Sequence, residues 1–178
     1  MTGWRQFILR AQMTLDRLAW GLCEIRRVLV ERGFWPAPEV AVVTAEGKRA
    51  SIRETRVLPD NGKGKAAGLV VPEANCLSGD MQLPEVRRSD LGAAVQEALW
   101  RLSPVPPDQV AFAWTAAPDA QAGWQVQWLM CRRSVQQDML AQQGLAADVP
   151  VYLSHAGQVW AVRGAAWEAQ RKRQRRMD

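Results

Sequence analysis

The chain has 178 residues, 48% of them hydrophobic and 23% charged, with a formal net charge of +5. That is enough apolar material to bury a core, and it excludes a chain disordered throughout. Three widely spaced cysteines (Cys23, Cys76, Cys131) and a single histidine, His155, exclude a disulfide framework and a zinc site built on histidines, and point to a reducing compartment.

Along the chain, Trp4, Ile8, Ala11, Leu15, Leu18, Leu22, Ile25 and Leu29 alternate spacings of three and four, which predicts an amphipathic helix of about seven turns. Charged residues, among them Arg17, Glu24 and Arg26, occupy its other faces, and Gly33 is a suitable stop. Three readings compete for the stripe: packing on its own domain, pairing with a partner helix, or lying on a membrane surface. Leu15, Leu18, Leu22, Ile25 and Leu29 are the candidate partner interface, and homodimerisation through them is one expectation.

Residues 39–44 and 49–55 read as two strands joined by the turn Ala45-Glu46-Gly47-Lys48. The loop Asp60-Asn61-Gly62-Lys63-Gly64-Lys65 lacks the Gly-x4-Gly-Lys-Ser/Thr spacing of a phosphate-binding loop, so it reads as an ordinary polar loop. Pro84 ends an extended run, and Ser89-Asp90 offers an N-cap and an acidic first turn. A helix is predicted from about Asp90, with Leu91, Val95, Ala98, Leu99 and Leu102 on its apolar face. Pro104, Pro106 and Pro107 stop it and turn the chain into a strand in which Val110, Phe112 and Trp114 share one face.

Residues 123–132 form the next strand, with Trp124, Val126, Trp128 and Met130 aligned. Ser134 and Gln137 have the capping-box spacing of a further helix, ending near Gly144. Two short apolar runs, Val151-Tyr152-Leu153 and Val159-Trp160-Ala161-Val162, flank a turn that contains His155. The order from Leu77 to Val162 is βαββαβ, which predicts an α/β (α+β) fold with an antiparallel-rich sheet and a ferredoxin-like split unit.

The block Gln82 to Trp114 carries a family resemblance. Leu83-Pro84, the charged step Arg87 to Asp90, the helix, the corner Leu102-Ser103-Pro104-Val105-Pro106 and the strand opening Asp108-Gln109-Val110 follow one another as they do in certain inner-membrane assembly proteins. The chain resembles the cytoplasmic parts of type IV pilus assembly protein N and general secretion pathway protein L of type II secretion, over roughly 68–176. That resemblance implies an actin-like or ribonuclease-H-like subdomain as the alternative wiring of the same elements. It also implies a secretion or pilus assembly ATPase or an actin-like adaptor as partner, other inner-membrane platform subunits as neighbours, and a homo- or hetero-dimer as the working unit.

No segment reaches the ~20 apolar residues of a membrane span. From Arg163 to Asp178, however, six basic and two acidic residues carry +4 of the formal charge, leaving the remainder nearly neutral. Such a run commonly precedes a span on its cytoplasmic side. It predicts a membrane-proximal tail built from Arg171, Lys172, Arg173, Arg175 and Arg176, anchored by Trp167, with a span after residue 178. The expected organisation is an N-terminal helix (1–34), an α/β domain (38–163) and a basic tail (164–178), at the cytoplasmic face of a bacterial inner membrane.

Chemistry is harder to find. Asp80, Asp90, Asp108, Asp138 and His155 form no recognisable constellation, and no catalytic, cofactor-binding or metal-ligating residue is assigned. A non-catalytic scaffold is the expectation. A nucleic-acid-binding or small-molecule-binding domain using the basic tail is the alternative, weakened for nucleic acid by the absence of an aromatic groove beside that tail.

Overall fold

The computed structural model of the protein describes residues 2–32, 34–36, 39–59, 66–119 and 123–163. Among these the chain forms a mixed α/β fold of two sheets and three α-helices. The first sheet starts as an antiparallel meander of β1 (Glu39–Thr44), β2 (Arg49–Arg53) and β3 (Arg56–Pro59). Gly47, at φ +77°, makes the first turn, and Glu54, at φ +55°, makes the second. β4 (Leu69–Val71) then adds parallel to β1. Much later in the chain β8 (Val151–His155) adds parallel to β4, and β9 (Gln158–Ala161) returns antiparallel to β8. A single ladder pair, Arg56 with Gln158, joins β9 to β3 and closes the six strands into a barrel.

Period-two alternation decides what each face of that sheet meets. Val42, Ala50, Ile52, Val70, Tyr152 and Val159 fill the barrel interior. Val43, Leu69, Val71, Val151 and Leu153 point the other way, onto the second sheet and α3 (Arg133–Gln142), where Ala113, Leu129, Cys131 and Leu140 meet them. Leu69, Val71, Leu129 and Leu153 are fully buried there, and each such side chain contributes about 1.5–3 kcal/mol.

The second sheet has the order β5-β7-β6, all antiparallel, from β5 (Leu77–Leu83), β6 (Val110–Pro118) and β7 (Trp124–Arg132). Between β5 and β6, α2 (Arg88–Leu102) packs Leu91, Val95 and Leu99 onto Val110, Trp124, Val126 and Met130. The proline corner ends in one 3-10 turn, Pro107–Gln109, and another, Glu73–Asn75, leads into β5.

Several expectations are corrected. The βαββαβ order is present, but its last strand, β8, leaves the second sheet and pairs with β4 in the barrel, so no four-stranded ferredoxin-like sheet forms. The ladder partner decides this, because β4 and β8 offer each other continuous apolar faces. β6 is buried on both faces at its start, with Ala111 and Ala113 as enclosed as Val110. Helix α2 starts at Arg88 with Arg87 as its uncapped entry, while Ser89 Oγ donates to Asp90 Oδ1, 3.0 Å away. Leu102 is exposed rather than buried, because the corner starts one residue later. Likewise α3 has no side-chain cap from Ser134. Its C-terminus does close as expected: Gly144, at φ +61°, lets Leu145 N–H reach Leu140 O and Gly144 N–H reach Ala141 O.

Helix α1 occupies Thr2–Glu31. Trp4 and Ile8 of the apolar stripe lie outside the described side chains, as does the stop at Gly33. The Asp60–Lys65 loop and the tail 164–178 also fall outside the described residues.

Candidate functional site

Three features stand out above the packed core: a small cavity carrying two thiols, a row of aromatic rings across the second sheet, and the exposed face of α1.

The cavity, of about 300 Å³, lies where β5 begins and β7 ends. Ala74, Asn75, Cys76 and Leu77 form one wall, Pro104, Val105 and Val110 a second, and Met130, Cys131, Arg132 and Val135 the third. The proline corner holds its wall in place through Ser103, whose hydroxyl donates to Val105 O (2.7 Å) and accepts from Val105 N–H (3.3 Å). In the β5–β7 ladder Leu77 pairs with Met130. Cys76, extended at φ −118° and ψ 144°, therefore comes opposite Cys131 one step further on. Cys131 is buried and Cys76 half-buried against the same core. Each thiol donates to a nearby carbonyl, Cys76 Sγ to Pro72 O (3.6 Å) and Cys131 Sγ to Arg132 O (3.5 Å). The proximity of the two sulfurs, together with burial, pushes Cys76 above the ordinary thiol pKa, and the neighbouring Cys76 holds Cys131 below it.

Beside this cavity, the Glu73 carboxylate accepts the Ala156 N–H at 3.0 Å, and its Oε1 lies 2.8 Å from His155 Nδ1. The second approach lacks hydrogen-bond alignment. The Ala156 N–H, aided by the nearby His155, holds the Glu73 carboxyl below its ordinary value, with slight burial acting in opposition. His155 sits at the end of β8, and the turn proper is Ala156-Gly157, both at positive φ, the two-residue hairpin geometry that matches strand twist.

Across the middle of the second sheet, Gly79, Trp128 and Trp114 are successive cross-strand neighbours. A Cβ on Gly79 would sit 2.5 Å from Trp128 Cζ2, so the indole lies directly over the glycine backbone. The Arg163 guanidinium stacks 3.6 Å from the Trp114 ring centroid. This contact draws the last described residue of the chain across the α2 side of the sheet.

On α1, Leu15, Leu18, Leu22 and Ile25 are 64%, 61%, 68% and 58% exposed, so the stripe does not pack on its own domain there. Leu29 is half-buried, and Val30, outside the predicted stripe, is fully buried. Trp167, Arg171, Lys172, Arg173, Arg175 and Arg176 lie outside the described residues. Asp80, Asp90, Asp108 and Asp138 sit on β5, α2, the Pro107–Gln109 turn and α3, apart from His155. Among the described residues, no group of three or more His, Cys, Asp or Glu could hold a metal, and no helix is long and apolar enough to cross a membrane.

Reading the sequence missed the thiol pair, since 55 positions separate its members and only the strand register brings them together. The available signal was a cysteine at the start of one strand and another at the end of its partner.

No protein-family model and no curated protein matches the chain. Among solved structures, one described as the PilM-PilN type IV pilus biogenesis complex aligns at 14% identity with a TM-score of 0.40. The alignment covers 62% of this chain and 46% of that one, so it spans less than half of the solved chain.

Proposed function

We propose that this chain is a non-catalytic scaffold domain at the cytoplasmic face of a bacterial inner membrane, holding subunits of a secretion or pilus assembly platform. The observation that carries the reading is the block from Leu83-Pro84 through the Ser103–Pro107 corner to Val110, which resembles the assembly proteins of type IV pili and type II secretion. In the fold this block is β5, α2, the corner and β6, and it has a structural rationale that uses no chemistry: the prolines aim β6 under α2.

The wiring of the larger sheet supports the actin-like or ribonuclease-H-like alternative over the ferredoxin-like one. An antiparallel meander β3-β2-β1 is followed by parallel β4 and β8, with β5 to β7 inserted between them. The exposed leucines of α1 supply a surface for a partner helix or a second copy, and the basic tail supplies attachment near anionic lipid. A secretion or pilus assembly ATPase, or an actin-like adaptor, is the partner this reading expects. Nucleotide turnover is not expected.

Co-expression with the actin-like adaptor and the assembly ATPase of the same bacterium, followed by affinity purification through this chain, tests the reading. Stoichiometric co-elution of at least one is expected, and absence of both in detergent-solubilised membranes as well as in soluble extract refutes it. ATP hydrolysis above buffer that disappears on Asp60→Ala or Lys63→Ala would refute the non-catalytic part.

A further inference from the structure

We propose that Cys76 and Cys131 form a peroxide-sensitive dithiol that closes reversibly to an intramolecular disulfide, locking the Glu73–Asn75 turn to the junction of β7 and α3. The ladder supplies the geometry. Residues directly opposite in an antiparallel pair have Cα atoms about 4.5–5.5 Å apart, inside the roughly 4.4–6.8 Å window that a disulfide accepts. Cys76 and Cys131 take up that relation one step beyond the Leu77–Met130 pair, so closure needs no strand to shift register. Their side chains pack in one core cluster, and both line the same cavity of about 300 Å³, which has room for a hydroperoxide but is walled mainly by apolar side chains.

The steps balance without a metal. The Cys131 sulfur, as thiolate, attacks one oxygen of hydrogen peroxide. An S–O bond forms, the O–O bond breaks, and the departing hydroxide takes up a proton to leave as water. The Cys76 sulfur then attacks the Cys131 sulfenic acid. The S–S bond forms, the S–O bond breaks, and the hydroxyl leaves as a second water with the proton from Cys76. Each sulfur gives up one electron and each peroxide oxygen gains one. A small dithiol such as dithiothreitol reopens the bond by two successive exchanges and is itself oxidised to its cyclic disulfide.

The locked junction is a meaningful place in the fold. Cys76 follows the turn whose Glu73 holds Ala156 of the β8–β9 hairpin, and Cys131 lies two residues before α3. Oxidation therefore ties the entry to β5 to the start of α3, across the β5–β7 pairing of the second sheet. In a reducing compartment the pair is open, which suits a sensor rather than a structural bridge.

The test uses the full chain carrying Cys23→Ser, because Cys23 is exposed and would form bridges between molecules. Hydrogen peroxide on the native protein is expected to take the two remaining thiols to none, with a mass loss of two hydrogens and a cross-linked peptide joining Cys76 to Cys131. Dithiothreitol should restore both. Closure should be at least about tenfold faster than in the urea-unfolded chain, since the fold presents the two sulfurs already juxtaposed. Adding Cys76→Ser should leave a dimedone-reactive sulfenic acid at Cys131 and no disulfide; should that variant fail to fold, the Cys23→Ser protein alone decides. The proposal is overturned if both thiols survive native peroxide treatment, if closure is no faster than in urea, or if the only disulfides join separate molecules.

Discussion

Substituting Gly79 by Ala places one methyl group where the Trp128 indole now lies. The new Cβ would meet Cζ2 at 2.5 Å, Cε2 at 2.9 Å and Cη2 at 3.2 Å, all atoms of one rigid ring. The ring cannot swing clear by a small rotation, because Trp114 flanks Trp128 on the opposite strand. Forcing a methyl into such a contact costs about 1–3 kcal/mol, offset by about 0.5–1 kcal/mol from the lower backbone entropy of the unfolded chain. The net expectation is a loss of about 1–2 kcal/mol, or roughly 2–8 °C in melting temperature for a chain of this size. Urea unfolding followed by tryptophan fluorescence measures the loss directly. A double-mutant cycle with Trp128→Leu separates this cause from a general dislike of alanine in β5: with the ring gone, Gly79→Ala should become neutral or mildly stabilising, giving a coupling of at least about 1 kcal/mol. Additivity within about 0.5 kcal/mol would refute the proposed contact.

Other outcomes follow from the same structure. Leu18→Glu with Leu22→Glu should leave the melting temperature within about 1 °C of wild type, as expected of exposed surface positions, while abolishing any self-association or partner co-elution; a large fall in melting temperature would show that the stripe is covered by its own domain. Leu129→Ala, at a fully buried position between the two sheets, should cost about 2–5 kcal/mol by chemical unfolding. Glu73→Ala should destabilise the protein only where the carboxylate is charged. Because its folded pKa lies below the ordinary 4.5, the difference from wild type should be full above that value and vanish as pH falls through the folded pKa, and a difference persisting undiminished in acid would contradict the ionic origin.

Local pattern made much of the fold readable before any coordinates. The β1–β2 turn at Gly47, the common face of Trp124, Val126, Trp128 and Met130, and the stop at Gly144 are decided within a few residues, by alternation and by the backbone freedom that a positive φ demands. β3 was missed because Arg56 to Pro59 is four residues long and ends in proline. The destination of β8 was misread for a different reason. Val151-Tyr152-Leu153 is apolar on both faces and would suit either sheet, and its partner β4 lies some 80 residues earlier. Pattern reports that a strand is buried; it does not report beside which strand. The Cys76–Cys131 pair was hidden by the same limit.

The reassignment of β8 also bears on what the molecule can do. In a ferredoxin-like unit β8 would have sealed the free edge of β5, leaving the barrel strands as a separate unit. Its pairing with β4 instead turns α3 and one face of β7 toward the barrel, so that Leu129, Cys131 and Leu140 belong to a core shared with Leu69, Val71 and Leu153. The two sheets cannot then separate without exposing that core. The thiol pair lies at the end of that shared core, one strand step beyond the Leu77–Met130 pair.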